Sequence, residues 1–185
     1  MKISLIVSAV SVLFLMTSSV GFSQSGQTLP KLKKPRLVVK KEQRELELFD
    51  GAKLIKTYKI ALGFAPAGDK EKEGDGKTPE GKFYVFTKNP NSQFHLSLGI
   101  SYPGIEDAKR GLKDKTITQA EYDEIARAIK EKRMPLQKTA LGGEIYIHGG
   151  GNADDWTFGC VALQNEEIEE LFKAIPVGTE VEILP

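Results

Sequence analysis

The sequence predicts a mainly β domain with two helices, a β-rich α+β class. Three observations carry that expectation. Apolar and charged residues alternate on both sides of Asp50-Gly51, the pattern of two half-buried strands joined by a tight turn. Apolar residues recur at helical spacing in only two segments, one around Ile125 and one around Leu171. Elsewhere, short apolar runs are separated by glycine- and proline-bearing turns.

The first strand follows Pro35 with Leu37-Val38-Val39, and the second sets Leu46 and Leu48 against Glu45 and Glu47. A third runs from Leu54 to Ala61, so the three make a β-meander. Residues 68–77 are charged and glycine-rich, hence a loop, and Thr78-Pro79-Glu80-Gly81 is a turn into a strand from Lys82 to Thr87. Another extended stretch runs from Phe94 to Ser101. Thr118 and Glu121 form a capping box ahead of a helix whose packed stripe is Tyr122, Ile125, Ala126 and Ile129. Its flanks, residues 104–116 and 131–143, are charged or glycine-bearing and are expected to be mobile. Glu144 to Ile147 returns to strand. Asn165 is the expected cap of a second helix, with Glu166 and Glu167 in its first turn and Ile168, Leu171, Phe172 and Ile175 on its apolar face. A turn and a last strand end the chain, and no internal repeat is present.

The chain opens with Met1-Lys2, an uncharged run from Ile3 to Met16, and small residues at Gly21 and Ser23. That is the layout of a secretory signal peptide over residues 1–23, so the protein is expected to be exported, to the periplasm or cell wall. No cysteine follows the run, which excludes lipid attachment of the lipoprotein kind; an uncleaved anchor is the alternative. Residues 24–35, with Lys31-Leu32-Lys33-Lys34, read as a linker, and residues 36–185 as one domain. With 26 basic and 25 acidic side chains, the charge balance gives no reason for a nucleic-acid partner. Gly76-Lys77-Thr78 resembles the end of a phosphate-binding loop, but Glu71 stands where the first glycine belongs, so no nucleotide is expected. His148-Gly149-Gly150-Gly151 resembles the oxyanion loop of lipases, yet no Gly-x-Ser-x-Gly elbow supplies a serine nucleophile.

One cysteine, Cys160, and two histidines, His95 and His148, make neither an internal disulfide nor a usual zinc set, so no metal and no cofactor are expected. The bland use of Cys160 is as a small buried hydrophobe. The reactive use needs a nearby base, and His148, on a strand end shortly before the cysteine loop, is placed to be one. In acyl transfer Cys160 is the nucleophile and His148 the base. The carbonyl of Gly149 or a near neighbour holds the second imidazole nitrogen, and the N–H groups of Gly159 and Cys160 serve the oxyanion. Thr157 steadies the loop or contacts substrate, or is only a turn hydroxyl. Trp156 lines the acceptor side or staples the loop to the core. His95 is a substrate-groove residue or a polar surface histidine. If His148 activates Cys160, the thiol should alkylate faster at neutral pH than an ordinary thiol of pKa about 8.5.

Four pieces occur in order: Leu46-Glu47-Leu48-Phe49-Asp50-Gly51; Gly74-Asp75-Gly76 with Thr78-Pro79-Glu80-Gly81-Lys82-Phe83-Tyr84-Val85; Ile145-Tyr146-Ile147-His148-Gly149; and Thr157-Phe158-Gly159-Cys160-Val161-Ala162-Leu163. Together they resemble the L,D-transpeptidase catalytic domain, or YkuD domain, of bacterial cell-wall enzymes, from about Arg36 to Pro185. The family signature is a histidine followed after a loop by Ser or Thr, any residue, Gly and the nucleophilic Cys, which maps onto His148, Thr157, Gly159 and Cys160. The resemblance implies a β-sandwich or barrel holding a Cys-His pair in a groove, closed by a helical lid inserted at about residues 104–140. Phe158 stands where many members have histidine, and Ala162 where many have arginine. The implied function is an exported acyltransferase that forms a Cys160 thioester with a peptidoglycan stem peptide and passes it to an amine. One alternative is a hydrolase cleaving peptidoglycan cross-links or a wall-attached protein with the same pair. Another is a non-catalytic wall-binding module with a vestigial Cys160. A wall-attached protein is a further acceptor or substrate on the same reading.

Overall fold

The computed structural model describes residues 29–185. The expected signal peptide, residues 1–23, and residues 24–28 of the expected linker lie outside the described residues. Eight strands form one sheet: β1 (Pro35–Lys40), β2 (Glu45–Asp50), β3 (Lys53–Lys59), β4 (Gly81–Ser92), β5 (His95–Ile100), β6 (Tyr146–His148), β7 (Val161–Ala162) and β8 (Glu180–Leu184). Their order across the sheet is β3-β2-β1-β8-β4-β5-β6-β7. Neighbours are antiparallel except β1 with β8 and β6 with β7. Three helices accompany them, α1 (Ile105–Lys113), α2 (Gln119–Lys130) and α3 (Asn165–Ala174). Among the described residues no helix is long and apolar enough to cross a membrane.

The meander β1-β2-β3 forms as the alternation predicts. Leu46 and Leu48 of β2 are fully buried while Glu47 between them pairs with Lys40 at 2.7 Å. Leu37, Val38 and Val39 are all buried, as suits a strand flanked by neighbours on both edges near the middle of the sheet. Gly51, at φ +61, supplies the left-handed turn residue between β2 and β3. Asp50 then accepts the N–H groups of Lys33 and Lys34, which pins the chain as it enters β1.

The sheet curls into a half-barrel whose two ends meet. Ala61, just past β3, donates its N–H to Ala162 of β7 at 2.9 Å and accepts the Ala162 N–H at 2.8 Å. The stitch continues as Thr157 N–H donates to Leu62 O and Phe64 N–H donates to Thr157 O. Two potential edges thereby cover each other. The core inside is built from Leu37, Leu48, Tyr58, Leu98, Ile147 and Val181, joined by Ile168 and Leu171 of α3 and by Ile175 after it. Each such side chain is worth about 1.5–3 kcal/mol of burial. Packing therefore holds α3, because ten residues are too few for a helix to persist alone in water.

Two details differ from the sequence reading. A third helix, α1, occupies part of the flank expected to be mobile. Its buried face carries Asp107, Ala108 and Gly111, so a polar residue and a glycine stand where an apolar stripe would have announced it. A Cβ at Gly111 would lie 2.9 Å from Leu141 Cδ2, so the Leu141 side chain would have to shift to admit one. Arg110 fastens α1, donating from Nη1 to Asp69 at 2.8 Å and from Nη2 to Asp107 and to Lys70 O, both at 2.7 Å. The cap of α3 is Gln164, one residue earlier than expected, and the Asn165 side chain instead accepts the Gly150 N–H at 2.9 Å. For α2 the Thr118–Glu121 box forms as expected. Helices α1 and α2 build a second small core of Ala108, Ile117, Ile125 and Leu141.

Candidate active site

His148 ends β6 and Cys160 immediately precedes β7. The two strands run parallel with Ile147 opposite Val161 and His148 opposite Ala162. Period-two alternation puts Tyr146, His148, Cys160 and Ala162 on one face, so the parallel pairing brings the cysteine and the histidine together. Both line a groove of about 900 Å³. Its walls come from Lys70 and Glu73 of the 68–80 loop, Phe94 at the β4–β5 turn, Trp156 and Phe158 of the cysteine loop, and residues 137–144 after α2. The segment expected as a lid thus supplies one wall, including Glu121 of α2.

The cysteine loop has a fixed shape. Thr157, 3 % exposed, donates its hydroxyl to Cys160 O at 2.8 Å and accepts the Gly159 N–H at 3.1 Å. Gly159 sits at φ +121, and a Cβ there would lie 2.6 Å from the carbonyl oxygen of Lys77. Because Thr157 takes the Gly159 N–H, the Cys160 N–H is the donor of this pair left to face an oxyanion. The Cys160 thiol accepts the Tyr146 N–H at 3.4 Å and donates to Glu144 O at 3.6 Å. Glu144 itself is held at φ +55, with its N–H donated to Gln137.

His148, 2 % exposed, has its Nδ1 on the Gly149 carbonyl at 2.6 Å, the arrangement expected from the sequence. With Nδ1 as donor, Nε2 carries the lone pair. Phe94 stacks on the imidazole with centroids 4.7 Å apart, and the Trp156 ring approaches its edge at 5.5 Å. Burial lowers the imidazole pKa, with the Gly149 contact pulling the other way, so the ring is neutral at neutral pH. Burial likewise pushes the Cys160 thiol up to about 11, opposed by the Tyr146 N–H and the charge of Lys70. The resting pair is therefore thiol and neutral imidazole, and the imidazole is not among the thiol's hydrogen-bond partners. These shifts run against a thiol more reactive than ordinary in the free protein, because burial outweighs the nearby donors.

The chain matches the family model described as the L,D-transpeptidase catalytic domain, YkuD, over residues 34–183. The chain belongs to that family. Among relatives, YafK of Escherichia coli (strain K12), named as a candidate L,D-transpeptidase, is 27% identical over 142 residues, covering 73% of this chain and 44% of YafK. YqjB of Bacillus subtilis (strain 168), named in the same way, is 27% identical over 152 residues, covering 80% of this chain and 69% of YqjB. This chain spans less than half the length of YafK. In structure it is similar to the helical cell shape determining protein Pgp2 of Campylobacter jejuni in its K307A form, with TM-score 0.54 and 24% identity, over 84% of this chain and 49% of that one. Bd1075 of Bdellovibrio bacteriovorus is similar too, with TM-score 0.51 and 23% identity over 85% and 52%. These two likenesses show the YkuD-type fold.

Within this YkuD domain the predicted residues Cys160, His148, Gly149, Thr157, Gly159 and Trp156 converge on one groove or its loops, while His95 does not. At φ +73 on the β4–β5 turn, His95 points to Glu169 of α3, with Nε2 2.9 Å from Oε1. Trp156 is tied to its own loop, donating Nε1–H to Gly151 O at 3.1 Å. Four contributors carried no sequence signal: Phe94 on the imidazole, Glu144 and Tyr146 through their backbones, and Lys70 in the wall. Ala162, where many YkuD members have arginine, is fully buried at the Ala61 stitch. Among the described residues no group of three His, Cys, Asp or Glu side chains is disposed to hold a metal ion.

Proposed function

We propose that this chain is an exported cysteine acyltransferase acting on peptidoglycan stem peptides. One observation carries the reading: the parallel pairing of β6 with β7 sets the single cysteine, just before β7, and a buried neutral histidine at the end of β6 in one groove of an L,D-transpeptidase-family domain. A donor amide carbonyl placed against Cys160 is attacked by Sγ as His148 Nε2 takes the thiol proton, so no thiolate need exist beforehand. The Cys160 N–H holds the tetrahedral oxyanion. Collapse breaks the C–N bond, the leaving D-amino acid takes the proton from His148, and a thioester remains. An amine acceptor then attacks the thioester and restores the thiol. The segment at residues 104–140 acts as the lid, supported by its place in the groove wall, and residues 1–23 as the export signal. Because Pgp2 is described as determining cell shape, a role in wall shape belongs to the same proposal.

Hydrolysis by the same pair is the second reading, favoured by the buried Ala162, which leaves that position without a cation for a substrate carboxylate. Purified protein incubated with muropeptides, with products resolved by mass, tests both. Exchange of a terminal D-residue or formation of a new cross-link supports transfer, loss of mass without a new amine supports hydrolysis, and unchanged muropeptides overturn the enzymatic reading. Export is tested by sequencing the recovered protein, whose new N-terminus is expected at or near Gln24.

A further inference from the structure

Two lysines are buried beside the loop of residues 68–80, and they are used differently. Lys41, 3 % exposed, donates to Gly68 O at 2.6 Å, Thr78 O at 2.9 Å and Glu80 at 2.8 Å, which accounts for all three ammonium protons. It is a structural pin. Lys70, 2 % exposed, donates to Asp75 at 2.7 Å and to Lys72 O at 3.0 Å, and its third proton has no partner among the described residues. Asp75 does not depend on it alone, because the N–H groups of Glu71, Lys72 and Lys77 also bind that carboxylate, at 2.8, 3.0 and 3.1 Å.

Burying an ammonium is costly, and a donor left unspent in a groove wall calls for a ligand. Lys70 lines the same groove as Cys160, with its stem beside Gly142, where a Cβ would lie 3.4 Å from Lys70 Cε. Lys138, the groove's other lysine, is exposed. Ala162 offers no charge where many family members carry arginine. We propose that Lys70 is an anion anchor of the groove that takes a carboxylate of the incoming peptide beside Cys160. As a carboxylate of a stem peptide, that ligand rests on the acyltransferase reading above; as an anion site, the anchor stands without it. Lys70 would then be a specificity residue for donors bearing a free carboxylate within reach of the scissile amide.

Paired alkylation of the full chain tests this. Iodoacetate and iodoacetamide attack the same sulfur, one as an anion and one neutral, so their rate ratio, normalised to a small free thiol, reads local charge. Any change in thiolate fraction cancels in the ratio. Lys70→Gln is expected to lower it about tenfold, whereas Lys70→Arg and Lys72→Gln, the latter at an exposed position on the same loop, leave it unchanged. An unchanged ratio in a folded Lys70→Gln protein overturns the proposal. If that variant does not fold, the wild type decides: N-acetyl-D-alanine should protect Cys160 from iodoacetamide better than N-acetyl-D-alaninamide, and equal protection overturns the anchor. Inert muropeptides with the charge effect intact overturn the acyltransferase reading and uphold the anchor. Turnover with the charge effect absent does the reverse.

Discussion

The pH profile of Cys160 alkylation tests the resting state on which the mechanism depends. Burial moves the thiol from its ordinary 9.0 up to about 11, against the Tyr146 N–H at 3.4 Å and the Lys70 charge. A displacement of about two units leaves roughly one-hundredth of the usual thiolate at neutral pH. Iodoacetamide rates should therefore climb about tenfold per pH unit through the alkaline range, with the midpoint above that of a free thiol in the same buffer. His148→Ala should leave this midpoint unmoved in the free protein, because the imidazole does not hydrogen-bond the thiol, while abolishing turnover of muropeptides. A wild-type midpoint at or below the ordinary 9.0 would refute the argument, since it would mean that a thiolate is already stabilised. A midpoint that rises in His148→Ala would locate the stabilising group.

Gly159→Ala should cost more than about 3 kcal/mol in urea unfolding, since φ +121 is strained for alanine and its Cβ would press on the Lys77 carbonyl at 2.6 Å. Gly178→Ala, at φ +91 with nothing within 4 Å, isolates the strain and should cost only about 1–3 kcal/mol. Thr118→Ala removes the cap of α2 and should cost about 1 kcal/mol. Asp107 is pushed up to about 6 by burial, above its ordinary 3.8, so the folded state binds its proton more tightly and stability should rise as pH falls from about 6 to about 4. Asp75 works oppositely. Burial pushes its carboxyl up, but donation from Lys70 and three backbone N–H groups outweighs this and holds it at about 2, so its contribution is lost as pH falls below about 4. Melting temperatures across this range should pass through a maximum, and Asp107→Asn should remove the rise on its alkaline side.

What was legible in the sequence was local. The β2–β3 hairpin announced itself through alternation and Asp50-Gly51, α2 through Thr118 and Glu121, and α3 through Ile168, Leu171 and Ile175. The placement of Cys160 and His148 in one groove was legible through their motif. Helix α1 was not, because Asp107 and Gly111 occupy its buried face and only contacts with Arg110 and Leu141 explain them. Of the two readings of His95 the surface one holds, because the groove reading rests on alternation along an unbroken strand. Its left-handed φ at the β4–β5 turn interrupts the period, so Gln93 and Phe94 reach the groove and His95 turns to α3. The polarity of the site was hidden for a related reason: His148 is covered by Phe94 and Trp156, and neither contact is fixed by spacing.

The Ala61–Ala162 stitch joins residues about 100 positions apart, and the peptide bearing Cys160 hangs from it. Long-range closures are entropically expensive and form late, after local hairpins and helices. Assembly of the reactive centre is therefore coupled to completion of the whole domain. An unfolded chain carries an ordinary thiol with no histidine beside it, and the two come together only when the seam zips shut. Slow hydrogen exchange at the Ala61 and Ala162 amides, lost together with the raised alkylation midpoint of the sulfur, would mark that event.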